Sequence, residues 1–354
     1  MMIPSEPIGS IPRPASLLAG LDDHAAGRIG KEQLQDLYDA ALRDTISRFE
    51  ATGSSVITDG EQTKPSFATY PLQGLTMLAP DGAVIPFADG HTRQLPRLTA
   101  GPFRYGVRSA TYVTAARALT TTPVKQAVIA PSALSLLYPT GGIDGYSREE
   151  FLADLMDEAE ADIRGALDAG AASVQVDFTE GRLSLKIDPS GGVLRSFIEL
   201  NNAVFDRFSE AERARIGVHT CPGGDQDSTH SADIDYADLL PSLLQLRVGS
   251  FYVQLASEPD PKRVLEIVAD HARPGQRIFV GVTDPINPVV ETPEQVCDRV
   301  LLAARYLGAD RLGTCDDCGF SPFGDDVSTS RDTAFAKIKA RIEGTALAAT
   351  ALGG

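Results

Sequence analysis

The strongest constraint on the fold is an alternation of short β-branched runs with amphipathic helical patterns along the chain. The runs are SVITDGE (55–61), VKQAVIAP (124–131), SVQVDF (173–178), RIGVHTC (215–221), SFYVQLA (250–256), RIFVGVT (277–283) and RLGTC (311–315). With the opening EPIGS (6–10) they make about eight strand candidates, the number that closes a parallel (β/α)8 TIM barrel. Helical patterns separate most of them. KEQLQDLYDAALRDTISRFEATG ends at Gly53, and SREEFLADLMDEAEADIRGALDAG has a serine cap, Glu149 and Glu150 in its first turn and a stop at Gly170. ADLLPSLLQL, PKRVLEIVADHA, TPEQVCDRVLLAARYLG and SRDTAFAKIKARIEGTALAA supply later crossovers.

The stretch 62–122, rich in Pro, Gly and Thr, breaks the alternation. It reads as an insertion of loops and hairpin strands after strand 2, a candidate lid, within a single catalytic barrel spanning 1–354. The fold class expected is therefore α/β, a TIM barrel with one loop and hairpin insertion.

Composition narrows the function classes. A formal net charge of −16 argues against nucleic acid or an anionic membrane as partner, since both demand clustered Lys and Arg. No apolar run is long enough to span a bilayer. The opening MMIPSEPIGSIPRP has no basic region followed by an apolar core, so the expected location is the cytoplasm. Cys221, Cys297, Cys315 and Cys318 are too few and too uneven for a secreted disulfide framework.

The unusual residues share one place. Asp59 and Glu61, Asp177, His219 and Cys221, and Cys315 with Cys318 all fall at carboxyl ends of predicted strands, the rim where a barrel collects its catalytic groups. One imidazole and two thiolates suit zinc, with a fourth position open for water or substrate. His219 and Cys221, two apart on a strand end, project to one side, and Cys318 would complete the set across the barrel mouth. The bland alternative is a satisfied core histidine beside a buried thiol.

Cys315 competes with Cys318 through the CxxC spacing, which also permits a redox pair. Cys297, mid-helix, reads as core packing, His24 and His271 as surface helix residues, and His91 belongs to the insertion. His230, near a helix cap, is a candidate ligand or proton carrier. The rim carboxylates either cap and solvate loops or capture an ammonium group. Glu180 and Arg182 can pair with each other, and Arg13 is a candidate for a substrate anion.

These motifs, in order, resemble the catalytic C-terminal barrel of cobalamin-independent methionine synthase and its short single-barrel relatives. IGSIPRP is similar to that family's IGSFP loop, ITDGEQ to its glycine-glutamate turn, and VQVDFTEGR to its QxDEPA strand end. GVHTC is similar to its histidine-x-cysteine strand and DDCGF to its aspartate-cysteine-glycine loop. The resemblance implies a Zn2+ ion held by His219, Cys221 and Cys318, which binds the thiol of homocysteine for attack on a methyl donor. It implies that Glu61 and Asp177 hold the amino group of the thiol substrate, and that Ile8 and Ser10 bind its carboxylate.

Two departures qualify the resemblance. Leu255 stands where the family's strand-borne glutamate is a fourth zinc ligand, with Gln254 and Glu258 as imperfect substitutes. Asp284, the candidate catalytic acid, is retained from the family's aspartate-x-histidine, but the histidine is Ile286. With no tryptophan to stack on a pterin and no N-terminal barrel, the expected donor widens from methyltetrahydrofolate to a methylcorrinoid, borne by a corrinoid protein. The relatives that open epoxides with coenzyme M are the enzymatic alternative. A non-catalytic barrel with structural zinc is the alternative of another class.

Overall fold

The computed structural model describes residues 2–353. Its central sheet has six parallel strands: β1 (Lys125–Ile129), β2 (Ser173–Asp177), β3 (Ile216–Thr220), β4 (Ser250–Val253), β5 (Arg277–Thr283) and β6 (Leu312–Asp316), neighbours in that order. Five lie within the apolar runs, and β6 overruns RLGTC by one residue, Asp316. Every residue of β1, β3 and β6 is buried, as expected of parallel strands covered on both faces.

Beyond each edge the chain adds one further parallel contact, reduced to a single bridge: Ile57 with Val124 beside β1, and Ser5 with Thr314 on β6. The two added segments also meet, Ile11 N donating to Gly60 O at 3.0 Å and Thr58 Oγ1 to Gly9 O at 2.8 Å. Eight segments therefore follow one another around the barrel. Their shortening has local causes. Ser5 lies between Pro4 and Pro7, which have no N–H to donate to a ladder. After Ile57 the backbone turns left-handed at Gly60 (φ 66°) and Glu61 (φ 57°), which ends any extended run.

Helices cover the outside of the sheet. Helix Arg148–Asp168 starts at Ser147, whose Oγ accepts Glu150 N while the Glu150 carboxylate accepts Ser147 N at 2.7 Å. Such a cap is worth about 1 kcal/mol. The helix buries Phe151, Leu155, Ala159 and Ile163 against the main core. Besides the one-turn helices Pro131–Leu134 and Glu210–Arg213, four helices lie outside the sequence expectation: Ala15–Ala25, Glu180–Ile187, Gly192–Phe205 and Ala110–Arg117. The last corrects the reading of 62–122 as loops and hairpins throughout, because its end is the crossover helix leading into β1.

The rest of that stretch holds two short antiparallel pairs, Leu78–Ala79 with Arg97–Leu98 and Val84–Pro86 with Thr92–Gln94. Its base is pinned to helix Arg148–Asp168. The Tyr70 hydroxyl and Ser109 N both donate to the Asp162 carboxylate, and Tyr105 N donates to Glu158 Oε2 at 3.0 Å. Its tip reaches over the carboxyl ends of the strands, where Ala88 N donates to Thr229 O at 3.0 Å. Among the described residues no helix is long and apolar enough to cross a membrane.

Candidate functional site

β3 ends at Thr220, so His219 is its penultimate residue and Cys221 the first residue past it. Cys318 follows β6 by two residues. The ligand atoms of these three side chains all lie within 4.8 Å of one another, and the two sulfurs are 3.1 Å apart with both cysteines free. His219 is 2% exposed, yet neither ring nitrogen has a hydrogen-bond partner among the described residues. A satisfied core histidine would have one, since an unpaired buried polar group costs about 1–3 kcal/mol. The contact with Cys221, followed by burial, pushes the Cys318 thiol well above its usual range. Soft sulfurs and an imidazole without other partners fit zinc.

The CxxC competition resolves by strand geometry. Cys315 lies within β6, buried with Ile8, Tyr252 and Phe279, while Cys318 lies beyond the strand end beside Cys221. Cys297 is partly buried against the main core.

The three donors open into a cavity of about 910 Å³. Ile8, Ser10, Glu61, Asp177 and His230 share its wall. Asp177 is paired in register with His219 on the neighbouring strand, and its Oδ1 accepts Gln175 Nε2 at 2.7 Å. Burial raises the Asp177 pKa, with His219, Gln175 and two lysines pulling back. Glu61 Oε1 accepts Lys64 Nζ at 3.1 Å, and Oε2 has no partner among the described residues. Burial opposes the Lys64 charge, but Glu61 and the carboxylates around it keep that ammonium protonated, above its ordinary pKa. Ser10 Oγ accepts Ser321 N at 3.2 Å, tying the opening loop to the Cys318 loop.

His230 packs edge-on to Phe87 with ring centroids 5.5 Å apart, its Nδ1 has no partner among the described residues, and burial holds its pKa down at about 4. The ring abuts the loop after Cys221: a Cβ at Gly223 (φ +71°) would lie 1.8 Å from His230 Nε2, so only glycine fits there.

Three expectations are corrected. Arg13 touches the cavity, but its guanidinium is occupied: Nη1 donates to Ser321 O at 2.7 Å and Nη2 to Glu61 O at 2.7 Å and Lys64 O at 3.0 Å. It fastens three loops together instead of facing an anion. Asp284 is outside the cavity wall, its Oδ1 accepting Ile286 N at 3.0 Å within its own turn. Glu180 and Arg182 do not pair. Arg182 pairs with Glu258 and lies over the Tyr236 ring, whereas Glu180 accepts the Ser132 hydroxyl.

Glu258 is thereby engaged, and Gln254 Nε2 donates to Ser257 Oγ at 2.8 Å. Leu255 N donates to Asp317 Oδ1 at 2.8 Å, as Ala256 N does at 2.9 Å, and Ser257 N donates to Oδ2 at 2.7 Å. Among the described residues no carboxylate joins the His219, Cys221 and Cys318 cluster. Asp317, unremarked in the sequence, thus shapes the loop on which a fourth ligand would sit. Lys64 also escaped notice, although it stands three residues after Glu61. Ser132 and Asn201 gave no signal at all.

Residues 3–331 match the family described as the catalytic domain of cobalamin-independent synthase. The chain belongs to that family. Within it, a methionine synthase from Sulfurisphaera tokodaii is 22% identical over 347 residues, covering 97% of this chain and 92% of that protein. The 5-methyltetrahydropteroyltriglutamate–homocysteine methyltransferase of Nitratidesulfovibrio vulgaris is 26% identical over 326 residues, 90% of this chain but 38% of that longer protein. A B12-independent methionine synthase from Shewanella sp. W3-18-1, solved with selenomethionine, superposes with a TM-score of 0.77 at 20% identity, covering 99% of each chain. The last likeness establishes the TIM-barrel fold.

Proposed function

We propose that the protein is a zinc-dependent thiol S-methyltransferase that converts homocysteine to methionine. The observation that carries this reading is a buried histidine whose ring nitrogens lack partners among the described residues, beside two free cysteines, in the wall of a large rim cavity. His219, Cys221 and Cys318 would hold the ion, which supplies Lewis-acid chemistry that lowers the pKa of a bound thiol. Three protein ligands suit a site that takes substrate as the fourth. A closed structural zinc site would need one more.

The remaining steps belong to the protein. Asp177 and the unpartnered Oε2 of Glu61 accept the substrate ammonium, and the loop of Ile8 and Ser10 receives its carboxylate. Lys64 fixes the Glu61 rotamer through Oε1. Orientation of the thiol sulfur toward the methyl carbon supplies proximity, and the hairpin over the rim acts as a lid that excludes water. The retained ammonium site favours an amino-acid thiol over coenzyme M, which has a sulfonate and no ammonium. Free thiols at the site suit a reducing compartment, the cytoplasm.

A panel pairing homocysteine and coenzyme M with methyltetrahydrofolate, methylcobalamin and an epoxide, scored by the mass of the thioether, tests the reading. Methionine is the expected product. A thioether formed only from coenzyme M and the epoxide would contradict it.

A further inference from the structure

One buried carboxyl in the cavity wall belongs neither to the metal-binding triad nor to the ammonium site. Glu180 opens the helix Glu180–Ile187 just past β2 and is 4% exposed. The network behind it has a defined direction. Ser132 N donates to Asn201 Oδ1 at 3.2 Å, which fixes which end of that amide is oxygen. Asn201 Nδ2 then donates to Ser132 Oγ at 2.8 Å, and the Ser132 hydroxyl donates to Glu180 Oε1. Oε1 is therefore an acceptor, and a proton on this carboxyl resides on Oε2. Oε2 has no hydrogen-bond partner among the described residues. Burial, reinforced by Asp177 and partly offset by Ser132 and nearby peptide N–H groups, pushes the pKa to about 8.

The surrounding sequence leaves a vacancy of role for such an acid. Where the strand end resembles QxDEPA, the family's glutamate gives way to Phe178, and a carboxyl returns two residues later as Glu180. The aspartate-x-histidine of the family is broken by Ile286, and Asp284 turns into its own loop.

We infer that Glu180 is the proton donor to the leaving nitrogen when the methyl donor is a methylated amine such as a reduced methylfolate. The inference rests on the methyl-transfer reading. In the step, a sulfur lone pair forms the S–CH3 bond as the N–CH3 bond breaks. The bonding pair stays on nitrogen, which takes the proton from Glu180 Oε2. The proton given up by the thiol restores the balance, so thiol and N-methyl amine become thioether and N–H amine. An amine leaves poorly without that proton, whereas a cobalt(I) leaving group keeps the pair and needs none. Ser132 and Asn201 are positioning residues.

The test compares wild type with Glu180→Gln in the zinc-loaded protein, using homocysteine with 5-methyltetrahydrofolate and, separately, with methylcobalamin. Loss of a general acid should lower the ratio of the methylfolate rate to the methylcobalamin rate by about 100-fold. An unchanged ratio, or a wild type that accepts only methylcobalamin, overturns the assignment. A second readout needs no donor: the wild-type minus Glu180→Gln infrared difference spectrum at neutral pH should contain a protonated-carboxyl band, and its absence from that difference overturns the assignment. If neither donor yields methionine while the band is present, the methyl-transfer reading fails and the protonated Glu180 stands.

Discussion

Two buried polar clusters in this barrel stand in opposite conditions. Under the insertion, Asp162 accepts the Tyr70 hydroxyl and Ser109 N, and Glu158 accepts Tyr105 N and Arg108. At the rim, both ring nitrogens of His219, Glu61 Oε2 and Glu180 Oε2 have no partner among the described residues. Burial is similar in the two places, so burial alone does not mark function. The difference is satisfaction. The carboxylates of the first cluster have their partners within the fold and hold the insertion to the barrel, with the Tyr105 hydroxyl the one unpartnered group beside them, while the second leaves unpartnered the atoms to which the proposed function gives metal, ammonium and proton.

Breaking each side of this comparison should have opposite consequences. Cys221→Ser or Cys318→Ser should abolish zinc binding and methionine formation, read by elemental analysis and turnover, while changing the unfolding free energy of the metal-free protein by no more than about 1 kcal/mol. Full activity in either variant would refute the ligand set.

Glu180→Gln comes next in size. The folded-state pKa of Glu180 is about 8, above the ordinary value of 4.5, so the folded protein binds more protons than the unfolded chain between those pH values. Its contribution is fully present below about pH 4.5 and is lost as pH rises through 8. Glu180→Gln should therefore match wild type in stability at low pH and exceed it above pH 8 by at most about 5 kcal/mol, measured by urea unfolding.

Asp162→Ala should strand the Tyr70 hydroxyl and Ser109 N, costing about 3 kcal/mol in the same assay. Turnover per folded molecule should stay near wild type, the reverse of the cysteine variants.

The smallest effect is expected at the hairpin. Arg93 bridges Asp225, on the loop after Cys221, to Asp325, on the loop after Cys318. Arg93→Ala should cost about 1 kcal/mol of stability and raise the KM for the methyl donor more than it lowers kcat. A kcat effect without a KM effect would argue against a lid.

How much of this was legible depended on whether the signal was local. The apolar runs and helix patterns are local, and all six strands of the sheet coincide with such a run, β6 overrunning it only by Asp316. The bridges at Ser5 and Ile57 are weaker because prolines and a left-handed turn intervene, features of single residues that periodicity averages away. His219 with Cys221 could be read from spacing and Cys318 from resemblance to a family, since each stands at a strand end. Arg13 misled because an arginine in a loop such as IGSIPRP looks the same in sequence whether it meets a ligand or backbone carbonyls. The Ser132–Asn201–Glu180 chain was invisible, since its members lie on separate elements and meet only when the barrel forms.

Absorption spectroscopy at the zinc edge, with and without homocysteine, tests the central claim most directly. Three protein ligands predict two sulfurs and one nitrogen on the metal, and a third sulfur when the thiol is added. A fourth protein ligand already in place, with a spectrum that homocysteine leaves unchanged, would contradict the account.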